Sequence, residues 1–479
     1  MIRVHQQTLM SSPTDPSETS GWRDLMTPAL APRFAFLCLG IWLNAADALV
    51  TVTLTPTIAR DIGGFQYFGW AVAAFLLASI VAGAASGRVS LMLGLRPATA
   101  LAGAAYAIGC AVSALAPTFL IFIVGRLIQG LGAGAVVALC YVAINALFPE
   151  RLWVRVYGAI AGVWGVATLF GPMIGGVFAQ GGVWRDAFWF FGAQGLVFMA
   201  ATFLLVKKSP PPEALKSRVP VPQLVVLTLG VTLIAAAGVV STILAALLLG
   251  VAGMGCLALL LRIDARAGGV LLPLSAGDLT QAAGAGYFMI FALEVATITF
   301  TVYGPAFVQT LHGASPLVAG YVITAIAAGW TVVAMLAAGV RNHDGLMIRG
   351  GATLVVVGTV WGAWAVPLGS IPQIVLAMIV MGAGFGASWA FAAKRIVASL
   401  PDGEQPLGSS AVPTAQLIGG AFGAAAASAV AGALGFADGV EAGNGAINGL
   451  TLFAAFIPVS LAGWLAAWRL GGLEPAVQG

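Results

Sequence analysis

Fourteen apolar stretches of bilayer-spanning length follow one another along this chain, and that succession restricts its fold more than any single motif does. A hydrocarbon core about 30 Å thick needs about 20 apolar residues to cross it as a helix. Inside that core a backbone must satisfy its own hydrogen bonds, so the stretches are read as helices. They run at about 33–57, 65–86, 98–116, 118–146, 157–180, 187–206, 221–240, 242–262, 283–309, 317–340, 349–367, 372–396, 409–434 and 447–470. The breaks carry turn chemistry, as in Ala116-Pro117-Thr118 and Gly313-Ala314-Ser315-Pro316. A soluble fold is excluded by composition. The chain is 60% hydrophobic and 8% charged, against roughly 25% charged in soluble proteins. Its 63 glycines suit helices that approach closely in lipid.

Charge orients the spans. Connections after even-numbered spans carry Arg88 and Arg96, Arg151 and Arg155, Lys207, Lys208, Lys216 and Arg218, Arg262 and Arg266, Arg341 and Arg349, and Lys394 and Arg395. Those after odd-numbered spans carry only Arg60 and Arg185, and the last holds Asp438 and Glu441. The positive-inside rule then puts both termini in the cytoplasm, with the chain in the cell (inner or plasma) membrane. The same topology explains the net charge of +4 without a nucleic-acid partner.

The expected organisation is a flexible cytoplasmic tail (1–32), six spans (33–206), a cytoplasmic linker (207–220), two further spans (221–262), a connector (263–282), six more spans (283–470) and a short cytoplasmic tail (471–479). The Pro- and Lys-rich stretch 207–220 has linker composition. Cys38, Cys110, Cys140 and Cys256 all fall in apolar segments, which argues against a disulfide framework or a metal cluster. His5, His312 and His343 fall in the tail or in loops, so a proton carrier within the membrane has to be a carboxylate. The spans hold no constellation of catalytic or metal-ligating residues, so neither an enzyme nor a cofactor is expected.

Three ionisable residues interrupt the apolar runs: Asp47 in the first span, Arg126 in the fourth and Glu294 in the ninth. A charge at bilayer depth costs on the order of 2.5–3.5 kcal/mol even on gentle scales, which marks such residues as functional candidates. At 1.5 Å per residue, Asp47 lies ~21 Å from the cytoplasmic start of its helix, and Arg126 lies ~12 Å from the external start of its oppositely directed helix. Those depths agree to a few ångströms in a core of about 30 Å. Asp47 and Arg126 are therefore expected partners, either for proton coupling or as a buried pair that only fixes packing. The fifth span, with Gly165, Gly171, Pro172, Gly175 and Gly176, combines a small-residue face with a proline bend.

These residues together resemble the 14-helix drug:proton antiporter branch of the major facilitator superfamily. Asp47 followed by Pro56-Thr57-Ile58 fits the branch pattern of the first span. GRLIQGLGAG at 125–134 matches the superfamily's fourth-span motif through Arg126, Gln129, Gly130 and Gly134. GPMIGG at 171–176 matches the antiporter motif, and YGPAFVQTLHGASPLVAG at 303–320 resembles the run around spans nine and ten. The similarity extends from about residue 35 to 470. The motif after the second span retains Gly87, Gly94 and Arg96, but Leu91 and Met92 replace its charged residues, which puts the family's cytoplasmic latch in doubt.

The resemblance implies an all-α membrane protein with the major-facilitator fold: two six-helix bundles and two inserted helices. It further implies a monomeric proton-coupled antiporter that exports small organic molecules, hydrophobic or cationic, by alternating access. Proton coupling would fall to Asp47, Arg126 and Glu294, and the substrate cavity would take in Asp47, Glu294, Gln129 and Gln309. Glu294, in the first helix of the second bundle, would face a wet midplane cavity in a position corresponding to Asp47. The alternative for Glu294 is a protonated acid hydrogen-bonded to a neighbouring helix. For the whole chain, the alternatives are a metabolite symporter or facilitator and a non-transporting sensor or accessory protein.

Overall fold

Each apolar stretch closes its backbone hydrogen bonds along its own axis. A computed structural model describes residues 22–149, 152–207, 220–237, 240, 242–268, 272–337, 340, 343–401, 404–436 and 444–472, and among them there is no strand. The first six spans are α2 (Ala31–Ile62), α3 (Phe68–Leu93), α4 (Leu95–Ala114), α5 (Phe119–Leu147), α6 (Trp153–Gln180) and α7 (Trp184–Leu205). The inserted pair is α8 (Val221–Ala237) and α9 (Ile243–Arg266). The last six spans are α10 (Ala282–His312), α11 (Pro316–Ala337), α12 (Asp344–Leu368), α13 (Ile371–Ala398), α14 (Gln405–Ala433) and the pair α15 (Gly445–Ala454) with α16 (Ile457–Gly472). Thirteen of these spans are long and apolar enough to cross a membrane, and α8 is a shorter apolar helix. Every expected span therefore has its helix.

The course of the helices differs from the sequence reading in several places. Residues Trp22–Leu25 form a short helix, α1, whose Leu25 is completely buried, so helical structure begins inside the stretch read as a tail. The second span continues as helix to Leu93, and the expected loop shrinks to Gly94. Gly94 has φ of 87°, which only glycine adopts without strain. The last span is broken between Ala454 and Ile457, just ahead of Pro458, which has no N–H to continue the ladder. The tail to residue 21, linker residues 208–219, and residues 437–443 with Asp438 and Glu441 lie outside the described residues.

Lipid supplies little hydrophobic drive between helices, so packing depends on close approach of small residues. α5 is the clearest case. A Cβ on Gly130 would collide with the Phe75 carbonyl of α3, and one on Gly134 with the Ser79 backbone. The Ser79 hydroxyl donates to Gly130 O at 3.1 Å. On the opposite side, Gly132 abuts the Tyr106 backbone of α4. These contacts hold α5 in the middle of the first half.

The two halves meet through α3 against α14 and α6 against α11, while α8 leans on both α14 and α3. Among the described residues, side-chain contacts between the halves gather at the end that carries the Gly63–Gly64 and Gly313 turns. Arg60 Nη2 donates to Gln309 Oε1 at 3.0 Å, Tyr321 Oη to Leu169 O at 2.9 Å, and Ser428 Oγ to Gln66 O at 3.5 Å. The Phe68 and Tyr303 rings lie 5.2 Å apart at the same end.

Candidate functional site

Asp47 and Arg126 do meet. Arg126 Nη1 lies 2.9 Å from Asp47 Oδ2, and both side chains are almost fully buried, 2% and 1% exposed. Arg126 and Gln129 stand three residues apart on one face of α5, which brings both to the same carboxylate. Gln129 Nε2 donates to Asp47 Oδ1 at 2.9 Å, and Arg126 Nη1 donates to Gln129 Oε1 at 2.9 Å. Thr51, one turn along α2, adds a hydroxyl donor to Asp47 Oδ1 at 3.2 Å. The three side chains close a hydrogen-bonded triangle.

The surroundings complete the network. The Arg126 guanidinium lies 4.2 Å over the Phe75 ring, and its Nε donates to Ala71 O at 3.4 Å. Gln129 Nε2 also donates to Cys110 Sγ at 3.3 Å, and Ser113 donates to Gln129 Oε1 at 3.4 Å. Four helices, α2 to α5, are thus tied at one point. Burying two ions costs several kcal/mol each, and the attraction offsets this only when the remaining donors and acceptors are also satisfied. Here they are, so loss of the Asp47 charge would leave Arg126 as an unpaired cation deep in the first half.

Glu294 has a different setting. Half-buried on α10, it accepts one hydrogen bond, from Gln416 Nε2 of α14 at 3.1 Å. No arginine or lysine pairs with it among the described residues. Gly419 and Gly420 make room for it: a Cβ on Gly419 would come within 3.1 Å of Glu294 Cβ. A Cβ on Gly420 would lie 3.7 Å from Glu294 Oε1 and 3.1 Å from Leu76 Cδ1 of α3. The acid thus stands where α10 and α14 of the second half approach α3 of the first.

Of the other expected cavity residues, Gln129 is fully buried inside the Asp47 network and lines no opening. Gln309 lies at the end where side-chain contacts hold the halves together, the closed end, 7% exposed, with Oε1 on Arg60 and Nε2 unpartnered. Asp47 and Glu294 both stand in the first helix of their half. However, Asp47 turns inward to α4 and α5, whereas Glu294 turns to the seam between the halves.

The motif glycines of α6 pack on two helices: Gly171 on Leu49 and Gly175 on Val50 and Thr53 of α2, and Gly176 on Leu317 of α11. Pro172 abuts Gly320 of α11, while Gly165 has open space beside it. Arg96 lies 5.1 Å over the Phe203 ring, with its Nε unpartnered. Met92 is exposed, and the side-chain surroundings of Gly87 and Leu91 lie outside the described residues. His312, read as a loop residue, ends α10 with Nε2 2.7 Å from Val366 O. All four cysteines are free.

Residues 37–367 match the Major Facilitator Superfamily. The chain belongs to that family. It is a multi-pass membrane transporter of small molecules and not an enzyme. A "Probable multidrug-efflux transporter" of Mycobacterium tuberculosis is 29% identical to it over 472 residues, covering 95% of this chain and 97% of the relative. The acurin A biosynthesis cluster MFS-type transporter of Aspergillus aculeatus is 33% identical over 173 residues, 36% of this chain and 31% of that one. Among solved structures, a D-xylose–proton symporter aligns with a TM-score of 0.65 at 16% identity, covering 94% of this chain and 99% of that one. The nucleoside transporter NupG aligns with a TM-score of 0.61 at 13% identity, covering 92% and 99%. At such identities the likeness concerns the fold alone.

The partners of the Asp47–Arg126 pair were only partly foreseeable. Gln129 stood in a recognised motif, but Thr51, Cys110 and Ser113 carry no sequence signal beyond being polar or small in an apolar run. Gln416 could have been suspected, as an amide in a membrane helix has to find a partner.

Proposed function

We propose that this transporter exports small cationic or hydrophobic organic molecules in exchange for protons, by alternating access. The observation that carries the reading is Glu294, a membrane-embedded acid at the seam of the halves with no cationic partner among the described residues. Asp47 is already neutralised by Arg126, so Glu294 is the acid left to hold either a proton or a cationic substrate. Competition of the two for one carboxylate couples their movements in opposite directions. The similarity to a "Probable multidrug-efflux transporter" along nearly the full chain supports the same direction of transport.

Asp47 and Arg126 are assigned a second part in the coupling, a conformational one beside the exchange at Glu294. Protonating Asp47 removes the charge that balances Arg126, and an uncompensated buried cation is strongly unfavourable. The α2–α5 packing then favours an arrangement in which Arg126 is solvated or re-paired. On the positive-inside orientation, the end where the halves touch is external, and alternating access requires that end to open.

The experiment is reconstitution in liposomes with a pH indicator inside, followed by addition of cationic dyes. Substrate-dependent proton movement opposite to the dye is the expected result. Dye transport that ignores an imposed pH gradient would rule out proton exchange.

A further inference from the structure

Away from the seam of the halves, a groove of about 520 Å³ lies between α10 and α16, where α10 begins and α16 ends. Its walls are apolar, with Leu279 and Phe288 on one side and Ala462, Ala466 and Trp468 on the other. One charged group lines it: Arg469, exposed in the last turn of α16. No acid pairs with Arg469 among the described residues. The Arg349 guanidinium lies 4.9 Å over the Trp468 ring, so the aromatic wall backs onto a second positive charge.

The local acid is already engaged. Asp278, next to Leu279, accepts from the Thr280 N–H at 2.9 Å, the Thr280 hydroxyl at 2.6 Å and the Gln281 amide at 2.9 Å. Its carboxylate is occupied by its own turn and is not a partner for Arg469.

An apolar groove at the rim of a membrane helix bundle suits a hydrocarbon chain better than water. Tryptophan and arginine at helix ends mark the level where acyl chains give way to headgroups. Zwitterionic and anionic phospholipids could both fill the walls, but an anionic one, with no ammonium to offset its phosphate, gains more from Arg469 with Arg349 behind it. We propose that this groove binds an acyl chain of an anionic phospholipid whose phosphate is held by Arg469. The site is separate from Asp47 and Glu294 and does not rest on the direction of transport.

The test uses the full chain in detergent, with bound lipid counted by native mass spectrometry. Dioleoylphosphatidylglycerol, dioleoylphosphatidylcholine and glycerol phosphate are compared as probes. The parent should prefer the anionic lipid by roughly fivefold, about what one arginine near the headgroup level confers. Arg469→Gln, a surface change, should remove that preference, and Ala462→Phe should weaken binding of both lipids by filling the groove. Equal binding of the two lipids by the parent, or a preference that survives Arg469→Gln, would overturn the proposal. Glycerol phosphate binding as well as the lipid would also overturn it, by pointing to a soluble anion.

Discussion

Arg126 Nη1 lies 2.9 Å from Asp47 Oδ2, and Gln129 bonds to both residues, so two buried charges on α2 and α5 share one amide. Removing the base alone leaves the acid uncompensated, whereas lysine keeps the charge but loses the planar fork that serves Asp47, Gln129 and Ala71 together. We expect Arg126→Ala to destabilise the protein by about 3–5 kcal/mol and to abolish transport, with Arg126→Lys recovering part of it. Thermal unfolding in detergent and vesicle transport across a pH series measure the two effects. An Arg126→Ala variant that kept the parent's pH dependence would refute the coupling.

Glu294 should govern substrate choice more than assembly. Glutamine matches its shape and can still bond to Gln416, but cannot balance a cation. Losing a charge at membrane depth also eases insertion. Glu294→Gln is therefore expected to weaken export of cationic compounds several-fold more than of neutral ones, with unchanged thermal stability. Paired transport of one cationic and one neutral compound checks it. Equal loss of both, together with a lower melting temperature, would make the residue structural.

The Arg60–Gln309 bond joins the halves at their closed end. Gln309→Leu removes it while keeping a side chain of similar bulk. The loss, on the order of 1 kcal/mol, should raise the population open at that end roughly fivefold. Spin or fluorescent labels placed across the end would report the distance distribution, and an unchanged distribution would remove the bond from the set of closing contacts.

Topology is tested independently of transport. In a cysteine-free background, Lys216→Cys in the linker should resist membrane-impermeant reagents in intact cells and react after permeabilisation. Labelling from outside would reverse the orientation.

The sequence by itself determined the helices and the depth of the charges. Span number follows from bilayer thickness and hydropathy, which are local properties. The Asp47–Arg126 pairing was legible because rise per residue converts position into depth, and few partners exist at a given depth in an apolar interior. Depth does not reveal the direction in which a side chain points. Gln129 turned out to be sealed beside Asp47, Gln309 to bridge the halves, and Glu294 to face Gln416 and Leu76, each according to how its helix is rotated against its neighbours. That rotation is set by the close contacts of Gly130, Gly134, Gly176 and Gly420 with residues 52 to 344 positions away in the chain. In lipid, helix orientation depends on such contacts because hydrophobicity distinguishes little between one face and another. The tertiary structure therefore decided which of two similarly placed acids is neutralised by a base and which is left at the seam.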